Sequence, residues 1–215
     1  HSQFKQDFYE ATHLVGLTNI LLNSTMSTFN GCDICWAVNE GIAELYRTDY
    51  KLKSPLAVQY NATDMEKHEF SAEDVQEFDK KYNIKADEHV LCFVGRLTLL
   101  KNILFIVDAL KILKDKGFKF KMFFVGTGTD EDKLKEAIVE NDLQNEVILT
   151  GRFSNKTTLG EFYNRAELLL FPSPYDTDGL VKYEAACYST PVVSIKGFHC
   201  ASNITDNVTG YLTSD

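Results

Sequence analysis

From His89 onward, apolar runs and helical periodicities alternate along the chain. HVLCFVG reads as a strand. Residues 102–116 place Ile103, Ile106, Val107, Leu110 and Leu113 on one helical face, and Gly117 stops them. FKFKMFFV is a strand, 130–141 a helix, EVILT a strand, 157–166 a helix, ELLLF a strand, 180–188 a helix and PVVSI a strand. The runs are apolar without alternation, as strands buried on both faces are. Strand and helix in strict succession predict an α/β fold, a parallel sheet with helices on both faces. Ligands of such sheets bind beyond the carboxyl ends of the strands. Four loops there carry candidate groups: Gly95-Arg96, Gly126-Thr127-Gly128, Gly151-Arg152 and the turn around Asp176.

The first 88 residues are less regular. Residues 1–30 have loose helical periodicity at Leu14, Leu17, Leu21 and Leu22. Residues 31–39 read as a strand, 40–46 as a short helix and PLAVQY as another strand. Residues 65–88 are mostly charged with an apolar stripe at Phe70, Val75, Phe78 and Tyr82, and Ser71 with Asp74 suits a helix start. Cys32 and Cys35 form a lone CxxC. With no second ligand pair for zinc nearby, they read as small core residues. His68 and His89 read as surface residues, and His199 and Cys200 lack metal-ligand spacing.

Composition narrows the function. The chain has 215 residues, 44% of them hydrophobic, with no run long enough to span a membrane. A net charge of −9 argues against general nucleic-acid binding, so a phosphorylated ligand needs cations placed locally. Lys111, Lys114, Lys116, Lys119 and Lys121 form a basic patch that reads as a solvated face, although anionic lipid would suit it. Five cysteines without framework spacing fit a reducing compartment, and the five Asn-x-Ser/Thr sequons read as chance. With no signal pattern and no initiating Met, His1 reads as the middle of a longer protein.

Candidate chemistry concentrates in FPSPYDTDGLVKYEAACYSTPVVSIKG, residues 171–197. Pro172 and Pro174 end the strand and leave a polar turn holding Asp176, Thr177 and Asp178. Gly179 lets a ligand approach the backbone where a helix opens at Leu180 and Val181, and free amides there suit an anion. Glu184 stands about two turns inside that helix. A carboxylate on either side of an anion suits a nucleotide sugar, with hydroxyls at both ends. Arg96 and Lys101, at another helix start, oppose the helix dipole unless an anion comes there. Gly126 to Gly128 precedes Asp130, Glu131 and Asp132, which would repel a pyrophosphate, so it reads as a tight turn lining the site.

This segment resembles the donor-binding stretch of retaining GT-B glycosyltransferases of family 4, the glycosyl transferases group 1. Their pattern is Pro-Ser-x-x-Glu-x-Phe-Gly-Leu-x-x-x-Glu-Ala followed by Gly-Thr-Pro-Val-Val. Pro172, Ser173, Gly179, Leu180, Glu184, Ala185, Thr190, Pro191, Val192 and Val193 match it. Asp176 replaces the first Glu, Asp178 the Phe and Ser189 the Gly. Ser189 in a left-handed cap would cost roughly 1 kcal/mol. The family's Gly-Arg-x(n)-Lys-Asn pair matches Gly95, Arg96, Lys101 and Asn102, and its Asn-Gly-Val-Asp turn resembles Asn61 to Asp64. Its loop and short helix ahead of a Gly-x-Leu strand match up to Gly210-Tyr211-Leu212.

The resemblance implies the Rossmann-like C-terminal half of a GT-B fold. Residues 1–64 would be the tail of the N-terminal acceptor domain with the interdomain turn. Residues 65–215 would be the donor-binding domain without its closing helices. It implies a hexosyltransferase acting with retention on an acceptor hydroxyl of a glycolipid or polysaccharide, with this stretch alone inactive. Arg96, Lys101 and the amides at Gly179 to Val181 would stabilise the leaving diphosphate without a metal. Glu184 would bind the ribose, Asp176 the hexose. Gly95, Gly128, Thr177, Asp178 and Leu180 would line the donor, with a UDP-hexose favoured over GDP-mannose. Arg152 could stack on the base or stand solvated. His1 could be the family histidine that contacts the donor sugar or an exposed terminal residue. A cytoplasmic location is expected, with peripheral membrane association through the rest of the first domain compatible with it. The alternative is a non-catalytic nucleotide-sugar-binding module.

Overall fold

The structure, a computed structural model, describes residues 3–214. Helices α1 (Phe4–Thr12), α2 (Val15–Phe29) and α3 (Glu40–Thr48) pack with two short strands, β1 (Cys35–Ala37) and β2 (Leu56–Val58). The two strands pair in parallel, Trp36 opposite Ala57. Leu22, Met26, Val38, Ile42 and Tyr46 form their core. Of the CxxC only Cys35 packs against that core. Cys32 is exposed and Cys35 half-buried in the turn after α2; their thiols reach the carbonyls of Thr28 and Phe29 and each other.

Next come α4 (Ala72–Lys81), β3 (His89–Val94), α5 (Ile103–Asp115), β4 (Phe120–Val125), α6 (Glu131–Glu140), β5 (Val147–Gly151) and α7 (Lys156–Arg165). They are followed by β6 (Leu168–Leu170), α8 (Val181–Cys187), β7 (Val192–Ile195) and β8 (Gly210–Thr213). Ser71 and Asp74 close a reciprocal capping box on α4, as their spacing predicts. Strands β3 to β8 make one sheet, ordered β5-β4-β3-β6-β7-β8 and parallel throughout. Val90, Cys92 and Val94 of β3 enter one core with Phe123, Phe162 and Ala185. Leu91 and Phe93 enter the other with Ile106, Leu110 and Met122. Successive side chains point to opposite faces and both faces are covered, which explains the unbroken apolar runs.

Three expectations change in detail. Helix α8 begins at Val181, so Glu184 stands in its first turn rather than two turns in. Lys101 closes a short 3-10 turn, Leu99–Lys101, ahead of α5, and Asn102 joins the two with a left-handed φ of 59°. The basic patch is largely neutralised: Lys111 pairs with Asp115, Lys114 with Glu146 and Lys119 with Asp87, while Lys121 donates to the Asn145 carbonyl. Ser189 does adopt the left-handed conformation, φ 62°.

Candidate active site

The sheet order sets the site. Strand β3 lies between β4 and β6, so the chain winds outward to β5, returns across β3 and winds the other way. The loops after β3 and β6 therefore leave adjacent strands in opposite directions and open a crevice between them. Lys101 is on one of these loops and Asp176 on the other. The Lys101 ammonium touches Asp176 Oδ1 and lies 2.6 Å from Oδ2, with the two side chains 16% and 19% exposed. Other contacts lace the same loops: Asn102 Nδ2 donates to the Pro172 carbonyl (3.3 Å) and Ser173 Oγ to that of Leu100 (3.4 Å). Ser173 Oγ also accepts from the Asp176 amide (3.3 Å), closing the turn that the two prolines begin.

The loop after β3 also borders a cavity of about 400 Å³ lined by Gly95, Arg96, Thr127, Arg152, Phe153 and Glu184, with Val181 at the start of α8; Lys101 and Asp176 are not among its lining residues. Three of the four predicted loops and the first turn of α8 thus meet in one space. Arg96 and Arg152 are exposed cations at its rim. Glu184 accepts a 2.6 Å hydrogen bond from Tyr163, a fully buried residue of α7. Burial, then the Glu184 charge, drives the Tyr163 phenol far above its ordinary pKa, so it stays a donor that orients the carboxylate. A wider groove of about 740 Å³ lies between α4 and α7. Its lining charges are mixed, Asp74, Glu77 and Glu161 against Lys80 and Lys81, and none belongs to the four loops.

Two glycines hold the crevice open. Gly179 has φ +82°, and a Cβ there would lie 2.4 Å from the Phe171 ring. Gly128 abuts the other side of the β3 loop, where a Cβ would lie 2.2 Å from the Leu97 carbonyl oxygen. Its role is thus to let the β4 loop approach the β3 loop, and it does not line the cavity. The acids beyond it are occupied. Asp130 accepts from the Leu99 amide (3.0 Å) and pairs with Lys133, and Lys135 pairs with Glu131 and Asp132.

Asp178 is not brought to the cavity. It is 1% exposed, and its carboxylate is 2.6 Å from the buried ammonium of Lys182, one helical turn on. Lys182 Nζ also donates to the carbonyls of Cys200 (2.9 Å) and Ser202 (2.8 Å). A buried carboxylate needs a paired cation, and Lys182 supplies it. Thr177 turns its carbonyl the same way, and the Leu180 side chain points outward, 49% exposed. His1 lies outside the described residues. Sequence reading passed over Lys182 and Tyr163. The Asp178–Lys182 spacing of four was a visible sign of the first, and no local pattern marks the second.

The family described as glycosyl transferases group 1 matches residues 74–215. The chain belongs to that family. It is 28% identical over 174 residues to an uncharacterized glycosyltransferase of Methanocaldococcus jannaschii, covering 78% of this chain and 43% of that protein. It is 27% identical over 168 residues to an alpha-monoglucosyldiacylglycerol synthase of Streptococcus pneumoniae, covering 77% and 38%. Both relatives are thus more than twice as long as the matched part. HepE of Anabaena, solved in complex with UDP-glucose, superposes with a TM-score of 0.77 over 96% of this chain and 56% of its own, at 20% identity, and so shares the fold. The group 1 assignment agrees with the resemblance carried by residues 171–197. Among the described residues no cluster of His, Cys, Asp and Glu could hold a metal ion, and no helix is long and apolar enough to cross a membrane.

Proposed function

We propose that this chain carries the donor site of a retaining hexosyltransferase, which moves a hexose from a nucleoside-diphosphate sugar to an acceptor hydroxyl. The observations behind it are the Lys101–Asp176 pair at the switch point and, bordered by the same loop after β3, a cavity bearing Arg96, Arg152 and Glu184. The donor would lie along that crevice. Arg152 and Phe153 flank the base, and Glu184, oriented by Tyr163, takes the ribose hydroxyls. Arg96 and Lys101 meet the diphosphate, and Asp176, beside Lys101, takes the hexose hydroxyls.

The difficult step is departure of the diphosphate from an oxocarbenium-like centre. Charge accumulates on the leaving oxygens, and two cations already in place favour that transition state over the ground state. In this reading the cations carry the electrostatic work without a metal. Helix α8 has only seven residues, so its dipole adds less than they do. Asp176 and Glu184 serve opposite ends of the donor and do not act as the acid and nucleophile of a glycosidase. The name of the pneumococcal relative supports a glycolipid acceptor, those of amylovoran and capsular polysaccharide biosynthesis glycosyltransferases support a polysaccharide, and the UDP-glucose complex of HepE supports a UDP-hexose as donor. A cytoplasmic location, with membrane association in a longer protein, completes the reading, and the free cysteines accord with it.

Titration of the chain with UDP and UDP-glucose by calorimetry tests the proposal. Both should bind, the sugar nucleotide more tightly. No binding of either would overturn it. Assay of UDP release in the longer protein, with and without acceptor, then separates transfer from binding alone.

A further inference from the structure

The turn that carries Asp176 has no ladder of its own; besides the contacts of Lys101 and Asn102 and, from later in the chain, of Lys182, Tyr183 and Cys200, it is held by side chains of residues 3–61. Gln3 Nε2 donates to the Tyr175 carbonyl (3.0 Å), Asn39 Nδ2 to the Thr177 carbonyl (2.7 Å) and Asn61 Nδ2 to Asp178 Oδ2 (2.7 Å). Three carboxamides thus hold the residues on either side of Asp176, while the Asp176 side chain turns away to Lys101. Each of the three partners can only accept, which leaves one orientation for every amide. Asn39 is also fully buried, and its Oδ1 caps α3 by accepting from the Ile42 amide (2.9 Å). The cap therefore fixes the side chain whose other end holds Thr177. Asp178 is fixed from behind by Lys182, so the pull of Asn61 acts on an anchored group.

We propose that Asn39 and Asn61, with Gln3, are positioning residues that set Asp176 for the sugar end of the donor, so that hexose recognition is governed from residues 3–61. This rests on the role given to Asp176 above. A carboxylate that reads a hydroxyl has to be held within a fraction of an ångström, and a turn without regular structure needs outside struts for that. The two asparagines act through Asp176 and touch neither Glu184 nor the cavity end that would hold the nucleotide.

The test is calorimetric titration of the whole chain with UDP and with UDP-glucose. Asn39→Ser keeps an oxygen to cap α3 while removing the donor to Thr177. Asn61→Ala removes the donor to Asp178 from a residue that is only half-buried. Each should weaken UDP-glucose by about 3- to 10-fold, the range of one lost hydrogen bond, with UDP unchanged. Adding Asn61→Ala to Asp176→Ala should weaken UDP-glucose no further, because its effect passes through the missing carboxylate. Melting curves establish that each variant is folded at the titration temperature. If the unmutated chain prefers UDP-glucose to UDP and both variants keep that preference, or weaken both ligands alike, the positioning role is wrong and the proposed function stands. If the unmutated chain has no such preference, the role of Asp176 fails, and this inference fails with it.

Discussion

Lys101 and Asp176 are 75 residues apart in sequence, and their charged groups lie 2.6 Å apart at the closest approach to Oδ2. Strands β3 and β6 are neighbours only because the winding reverses between them, so the pair exists by virtue of topology. It makes the two cations of the site unequal. Arg96 is exposed, whereas Lys101 is largely buried and already matched.

Arg96→Ala should therefore weaken UDP and UDP-glucose by about 1.5 to 3 kcal/mol and leave the melting temperature almost unchanged. Lys101→Ala should weaken both ligands similarly and also destabilise the fold by about 1 to 2 kcal/mol, between an exposed and a fully buried pair. Calorimetry and urea unfolding measure the two effects separately. Unaltered affinity in both variants would place the diphosphate elsewhere.

Glu184 and Asp176 should be separable by ligand. Ribose is present in UDP and UDP-glucose alike, so Glu184→Ala should weaken the two equally, by about 1.5 to 3 kcal/mol. Asp176→Ala should remove the preference for UDP-glucose and leave UDP affinity within about twofold. Identical ligand profiles in the two variants would contradict this division.

The buried Asp178–Lys182 pair gives a stability prediction. Lys182→Met leaves a carboxylate in the interior with no cation, and should cost about 3 to 5 kcal/mol in urea unfolding. Adding Asp178→Leu removes that carboxylate and should restore more than half of the loss. A double variant no more stable than Lys182→Met would show that the pair is not what makes the single change costly.

His199 gives a pH prediction. Burial lowers its imidazole pKa below the ordinary value of about 6.5, against a smaller opposing pull from Asp49. The unfolded chain then takes up the proton first. Stability should be insensitive to this group above about pH 6.5 and fall as the pH drops toward the folded-state value. Subtracting the urea-unfolding pH profile of His199→Gln from that of the unmutated chain isolates the effect, and a difference in stability that grows in favour of the unmutated chain as the pH falls below about 6.5 would reverse the sign claimed here.

Every strand from β3 to β7 was legible as an apolar run, because a strand covered on both faces needs no polar alternation. The crevice was legible through its loops, since strand–helix succession alone says which ends of the strands face a ligand. Two kinds of feature were not. Asp178 looked like part of the site because it sits between Asp176 and Gly179, and its spacing of four from Lys182, the one sign of the alternative, gains its meaning from the burial that the fold imposes on both. The contacts of Asn39 with Thr177 and of Asn61 with Asp178 join residues 138 and 117 positions apart. No periodicity of 2 or 3.6 residues extends that far, and a lone asparagine reads first as a cap or a turn. Cys32 misled in the opposite direction: cysteine is usually buried, but a turn exposes this one.

The reversal in strand order also has a consequence during synthesis. Strand β3 acquires β4 on one edge soon after it is made, but Leu91 and Cys92 must wait on the other edge for Leu168 and Leu169. At the usual pace of a ribosome that interval is roughly 4 to 15 seconds. Throughout it a strand with five apolar residues in succession offers unpaired backbone groups on its open side. A nascent chain paused between α7 and β6 is thus the form in which this protein is most prone to aggregate, and the form a chaperone has most reason to hold.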